Sequence, residues 1–247
     1  MIVLSEGDLV VEFIFARELQ DDLLKVDELF KQSLLPWWDD IAIYLQEMSK
    51  DKSFFMLPGV VVAAYGNLGL ERDQAIKMAN IFKTMHMATR IHVLVKDDDE
   101  GQETNQAMQF TILIGDYVFG KVLTLLHEYQ VDKLLNAFAA MIAEINEGLI
   151  MEYRSNINLY DVVARTRAPL YSCAFLTAAE LADLPPEIEK LYSSIGHNLG
   201  MALELKYAHG QNGDYYLEQA EQLLAQFPEG FSADDPTLMN LMREMRS

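Results

Sequence analysis

Apolar residues recur at three- and four-residue intervals along most of the chain, as in Ile76, Met78, Ala79, Ile81, Phe82 and Met85, while two-residue alternation is nearly absent. The first spacing lines one face of a 3.6-residue helix, and the second would line one face of a strand. The pattern predicts helices over about 8–35, 37–48, 57–65, 73–95, 107–129, 131–153, 159–181, 186–206, 215–226 and 236–246, with a kink or break near Pro169. Helices of about 23 residues are roughly 35 Å long, twice the usual globular length. Several of them, joined by turns as short as Asn67-Leu68-Gly69 and Leu184-Pro185-Pro186, predict an all-α, single-domain bundle over residues 1–247. No Ser/Gly tract or low-complexity run divides the chain.

Glycines interrupt three helical stretches, at Gly115, Gly148 and Gly196 with Gly200. Each costs roughly 1 kcal/mol against alanine, so close approach of a neighbouring helix is the expected reason for them. The longest charge-free apolar stretch, 54–70, contains a proline and three glycines and is short for a bilayer span. The N-terminus has no basic region before its apolar residues, unlike a signal peptide. These features predict a cytoplasmic protein with no transmembrane segment. A lone Cys173, set in Tyr171-Ser172-Cys173-Ala174-Phe175, excludes an internal disulfide and reads as a buried small apolar residue.

Composition sharpens the picture through charge. Lys+Arg number 19 against 38 Asp+Glu, a formal net charge of -19. A polyanion would be repelled, so no nucleic-acid partner is expected, and an anionic membrane surface is disfavoured for the same reason. The densest acidic run, 97–100, has two readings from its residues alone: a solvated loop, or a Mg²⁺ site built on carboxylates. His86 and His92 lie about 240° apart around a helix and cannot share one metal. His92 with Asp97 offers at most a loose site. Trp37-Trp38 beside Asp39-Asp40 reads equally as a partner anchor or as a helix start with one ring packed inward. The 13 Met read mostly as core filler, although Met-rich grooves also suit apolar ligands.

The order of several segments carries a resemblance. Met85-His86-Met87-Ala88-Thr89-Arg90-Ile91-His92 and the acids after it are followed by Ile112-Leu113-Ile114-Gly115-Asp116-Tyr117-Val118-Phe119-Gly120-Lys121. Then come Asn146-Glu147-Gly148 and His197-Asn198-Leu199-Gly200-Met201-Ala202-Leu203-Glu204. This order resembles the trans-polyprenyl diphosphate synthase family, whose segments read IHTASLIHDDxxD, LLGDYLLAKA, SEGE and NLGIAFQ. The resemblance implies the isoprenoid synthase type I fold, a ring of long helices around a deep pocket, here shortened near the C-terminus. It also implies a prenyltransferase ancestry, in which Mg²⁺ held by aspartates on two facing helices neutralises a departing diphosphate.

The departures from that pattern decide the functional expectation. Val93 and Leu94 stand in the first paired-aspartate positions, leaving Asp97 of that motif, and Tyr207 and Ala208 stand in the second pair. Where the family has GGKxxRP, the Lys and Arg positions before Pro58 are Phe54, Phe55 and Leu57. The family's KT pair corresponds to Thr166-Arg167, with Arg165 nearby. The basic side of the site is therefore expected to be lost along with the metal ligands.

The resemblance then implies a non-catalytic subunit that pairs with a catalytic prenyl synthase chain or forms a homodimer, binds no cofactor and acts in isoprenoid biosynthesis. Two alternatives stay open: a divergent Mg²⁺-dependent prenyltransferase using Asp97, Asp98 and Glu100, or a carrier of an isoprenoid or other apolar ligand. By correspondence Thr89 and Ala88 gate the elongation tunnel, and His92, Tyr117 and Tyr207 are further pocket candidates.

Overall fold

A computed structural model describes residues 17–48, 51–94, 106–154 and 157–246. These residues form eleven α-helices and no strand, the all-α architecture expected. In chain order they are α1 (Gln20–Ser33), α2 (Trp38–Met48), α3 (Lys52–Asn67), α4 (Arg72–Leu94), α5 (Gln106–Glu128) and α6 (Leu135–Arg154). Next come α7 (Leu159–Thr166), α8 (Ala168–Leu181), α9 (Pro186–Leu203), α10 (Asp214–Ala225) and α11 (Thr237–Arg246). The acidic run with Asp97, Asp98 and Glu100 lies outside the described residues, as do residues 8–16 of the helix expected over 8–35.

Helix α3 runs through the centre, with Phe54, Phe55, Leu57, Val60, Val61 and Tyr65 all buried. The apolar stretch that includes it is thus a core element, which explains why it shows no polar face. It starts five residues earlier than the periodicity indicates. Asp51 caps it, its carboxylate accepting from the Ser53 N–H at 3.1 Å and from the Ser53 hydroxyl at 2.5 Å. Such a cap is worth about 1 kcal/mol.

Helices α4, α8 and α11 pack against α3, and α8 packs closely against α9. That approach depends on glycine: a Cβ at Gly200 would come within 2.6 Å of the Tyr171 ring, and one at Gly196 within 2.6 Å of the Tyr171 carbonyl. Gly148 does the same on α6, where a Cβ would lie 2.7 Å from Arg165. The packing reason expected for these glycines therefore holds.

The long helix expected over 159–181 is broken at Arg167, between α7 and α8, with Pro169 in the first turn of α8. Proline suits a first turn, where its missing N–H leaves no bond unmade. Helix α9 does not continue regularly to Lys206. It passes into a π-helical turn, Glu204–Ala208, at the segment that corresponds to the family's second aspartate motif. Such turns concentrate at functional positions.

A second apolar cluster joins the end of α1, α2, the start of α3, the end of α4 and α5 through Phe30, Ile41, Phe54, Met87, Ala88 and Ile114. Cys173 is buried, and burial pushes its thiol up, so it is unreactive packing.

Helices α5 and α6 are largely exposed. The segments Met108–Glu128 and Asp132–Arg154 are long and apolar enough to cross a membrane by length and composition, and only 33% and 28% of their apolar windows are buried. The sequence reading singled out only 54–70 in this respect. Their exposed apolar residues include Leu113, Leu123, Leu135 and Ile150.

Candidate functional site

Between α4, α6, α7 and the residue after the π-helical turn lies a cavity of about 170 Å³. Thr89, Arg90 and Val93 line it from α4, and Ile145, Leu149 and Glu152 from α6. Val162 and Thr166 of α7, Arg167 at the helix break and His209 complete the wall. The wall therefore combines apolar side chains with two guanidinium groups, a carboxylate and an imidazole.

The guanidinium groups converge on one carboxylate. Asp51 Oδ2 lies 3.5 Å from Arg167 Nη2 and 3.7 Å from Arg90 Nε, while Oδ1 is taken up by the cap to Ser53. The same residue thus starts α3 and holds the cations. Arg167 Nη1 also lies 2.9 Å from His86 Nε2. Because a guanidinium donates only, His86 Nε2 accepts, which fixes the imidazole as neutral. Burial and the adjacent Arg167 lower the His86 pKa to about 3. Burial opposes ionisation of Asp51, but His86, Arg167, the Ser53 hydroxyl and Arg90 outweigh it and hold the carboxyl below its ordinary value.

A second carboxyl completes the network. Glu204, at the start of the π-helical turn, is fully buried and accepts from the Tyr171 hydroxyl at 2.9 Å. Its other oxygen has no hydrogen-bond partner, and burial raises its pKa against the attraction of Arg167. A group in this setting favours the protonated form. Arg90 carries the opposite mark of strain: burial first, and then repulsion from Arg167, lower its pKa, and its Nε has no hydrogen-bond partner.

The positions singled out from sequence divide unequally. Thr89 lines the cavity, its hydroxyl donating to the His86 carbonyl at 2.8 Å. Ala88 is fully buried in the second apolar cluster. His92 lies on the outer side of α4, against Gly115, with Nε2 3.5 Å from Asp116 Oδ1. The Tyr117 hydroxyl donates to the Leu35 carbonyl at 3.1 Å, and the Tyr207 ring lies under the Lys206 ammonium, 5.6 Å away. These four do not line the cavity. Trp38 packs edge-on to Phe30 at 5.9 Å while Trp37 is exposed, so one ring of the pair is packed inward.

The described residues of this wall offer Mg²⁺ no fitting donor set. Val93 and Leu94 offer no oxygen, and among the described residues no three Asp, Glu, His or Cys side chains converge. The expectation that the basic side of the site is lost needs correction. Arg90 and Arg167 supply two cations, although not from the positions of the family's lysine and arginines. Arg90 stands where the IHTASLIH segment has leucine. A charged residue between Ala88 and Ile91, and a glutamate inside the apolar run Met201–Leu205, were the signals available in the sequence for this network.

No protein-family model matches the chain. It is similar to the octaprenyl diphosphate synthase of Escherichia coli (strain K12), 25% identical over 162 residues that make up 60% of this chain and 50% of that protein. The chain thus spans about half the length of the curated relatives it matches. Among solved structures, the decaprenyl diphosphate synthase of Rhodobacter capsulatus superposes with a TM-score of 0.72 at 15% identity, over 94% of this chain and 96% of that one. The geranyl diphosphate synthase small subunit of Antirrhinum majus gives 0.68 at 15% identity, over 97% and 100%. The isoprenoid synthase type I fold is common to them. Over 60% of its length the chain is thus similar in sequence to octaprenyl diphosphate synthases, and over nearly all of it the fold is that of the polyprenyl synthases.

Proposed function

We propose that the chain is a non-catalytic subunit of a cytoplasmic polyprenyl diphosphate synthase, paired with a catalytic chain of the same fold. The observation that carries this reading is the make-up of the cavity. The positions corresponding to the paired aspartates hold Val93, Leu94, Tyr207 and Ala208, and the cations beside them are spent on Asp51. Ionising an allylic diphosphate requires several positive charges at the leaving oxygen atoms. Arginines already shared with a carboxylate, with no metal ligands beside them, are a poor substitute.

The pairing surface in this reading is the outer face of α5 and α6. Leu135, Ala139, Ala143 and Ile150 follow one another along an exposed stripe of α6, and small side chains let a second helix approach closely. Leu113 and Leu123 are exposed on α5 as well. Exposed apolar side chains grouped in this way mark an interaction site. That a small subunit of a prenyl synthase shares this fold over nearly its whole length supports the assignment. The acidic surface suits a partner with a basic rim, so association should weaken with salt.

The test is isopentenyl diphosphate incorporation with Mg²⁺ and an allylic diphosphate. The chain alone should give no turnover, and adding an aspartate-bearing chain of this fold from the same genome should produce a stable pair with activity. Turnover by the chain alone would support a divergent Mg²⁺-dependent enzyme using Asp97 and Asp98 and would end this reading.

A further inference from the structure

Three tyrosines meet where α7 and α10 begin. The Tyr160 and Tyr216 rings lie 6.5 Å apart and 31° from parallel, and Tyr215 stands edge-on to Tyr216 at 5.2 Å. Tyr216 is seated on the apolar cluster of Val163, Ala168, Met201 and Leu205, while Tyr160 is 44% and Tyr215 65% exposed. The base of the group is firm: a Cβ at Gly213 would come within 2.6 Å of the Ala202 carbonyl, so α10 starts pressed against α9. None of the three tyrosines lines the cavity between α4, α6 and α7.

Aromatic faces attract cations, and this chain uses that attraction elsewhere. Tyr117, Tyr129 and Tyr207 each lie under a lysine ammonium of the chain itself, at 5.7, 5.8 and 5.6 Å. Among the described residues no Lys or Arg lies over Tyr160, Tyr215 or Tyr216. Carboxylates border them instead. Asp161 follows Tyr160 in the first turn of α7 and Asp214 precedes Tyr215 in the first turn of α10, both exposed. Burial, then Tyr215, Tyr160 and Asp161, hold the Tyr216 phenol above its ordinary pKa, which places the Asp161 carboxylate beside the rings. A helix N-terminus carries only about half a positive charge, so each aspartate leaves its helix start negative.

We propose that this corner docks a basic segment of a protein partner, seating an arginine side chain against the Tyr160 and Tyr215 rings with its guanidinium beside Asp161. Charge complementarity selects a cation, and the ring faces select a flat, weakly hydrated one. A guanidinium stacks on aromatic faces and binds a carboxylate through two parallel N–H bonds, whereas an ammonium is compact and strongly hydrated. Tyrosine and arginine are also the residues that dominate binding at interfaces. The site lies on α7 and α10, apart from the outer face of α5 and α6, and does not depend on the subunit reading.

Nuclear magnetic resonance of the full chain, labelled with carbon-13 in its tyrosine rings, tests it. The probes are three blocked peptides, each with two arginines, two lysines or two glutamines spaced by glycine. The arginine peptide should shift the signals of Tyr160, Tyr215 and Tyr216 saturably among the eleven tyrosines, and the shifts should weaken with salt. Tyr160→Leu and Tyr215→Leu, each of which also identifies its own signal, should weaken binding about two- to five-fold, the size of an exposed cation–π contact. Asp161→Asn should weaken it by a similar factor and reduce the salt dependence; it keeps the test decisive if a ring variant disturbs the seat of Tyr216. No shift of these signals at about 10 mM arginine peptide would overturn the proposal. Equal binding of the glutamine peptide would do the same, and equal binding of the lysine peptide would overturn the choice of a guanidinium. Turnover of diphosphates by the chain alone would remove the subunit reading and leave these titrations as they are.

Discussion

The two arginines around Asp51 should differ sharply in what they contribute to stability. Arg167 is 14% exposed, bonds His86 at 2.9 Å and reaches Asp51 at 3.5 Å; Arg90 is 22% exposed and reaches Asp51 at 3.7 Å. Replacing Arg167 by methionine keeps most of the side-chain volume but leaves a nearly buried carboxylate facing only the more distant cation. It also strips His86 Nε2 of its donor. Removing one member of a buried pair costs about 3–5 kcal/mol. For a chain of this length that corresponds to a fall in melting temperature on the order of 10 °C. Arg90→Leu removes a weaker attraction and relieves guanidinium–guanidinium repulsion, so its cost should stay under about 1 kcal/mol. Urea unfolding followed by circular dichroism, with an unchanged dependence on denaturant, measures both. Equal losses for the two variants, or a loss under about 1 kcal/mol for Arg167→Met, would refute the division into a structural and a spare cation.

Further outcomes follow from the same network and from the outer helices. His86 has its pKa lowered to about 3, so the unfolded chain takes up a proton that the native state refuses between about 6.5 and 3. Stability is therefore lost as pH falls through that window, and His86→Gln should flatten the loss between pH 7 and 5; identical slopes in denaturation midpoints would contradict this. Glu204 behaves oppositely. Its raised pKa gives stability that is present below the ordinary value of 4.5 and lost as pH rises through the folded value. Glu204→Gln should therefore be stabilising at pH 8 and near neutral at pH 4, and a destabilised variant at pH 8 would show that the ionised form is needed. Leu113→Glu and Ile150→Glu alter exposed positions and should change unfolding by no more than about 0.5 kcal/mol, yet abolish association with the catalytic chain in sedimentation experiments. Retained association would move the interface elsewhere.

The helical bundle was legible because its long helices keep one apolar stripe each and end at clear punctuation, as at Asn67-Leu68-Gly69 and Pro185-Pro186. Helix α3 was the exception. Buried on all sides, it has no stripe to mark its phase, and its start is set by the Asp51 carboxylate bonding Ser53, a local device that periodicity does not register. Motif order gave the fold and the resemblance, and it singled out Thr89, which lines the cavity. It did not give the convergence of Arg90, Arg167, Asp51 and Glu204, four residues on separate elements that only the packing of α3, α4, α8 and α9 brings together. His92 and Tyr117 were drawn into the candidate site by their place in the motifs, whereas the helix rotation turns both toward α5 and the α1–α2 turn. Loss of a site's usual cations at their usual positions was thus a sound observation, but charge had re-entered from a position the family fills with leucine.

The central claim is that this chain contributes no diphosphate ionisation of its own. Radiolabelled isopentenyl diphosphate, an allylic diphosphate and Mg²⁺ incubated with the purified chain, alone and after mixing with an aspartate-bearing chain of the same fold from the same genome, measure it directly. Product formed only by the mixture, through a complex that Leu113→Glu disrupts, is the result expected. Product formed by the chain alone would contradict it.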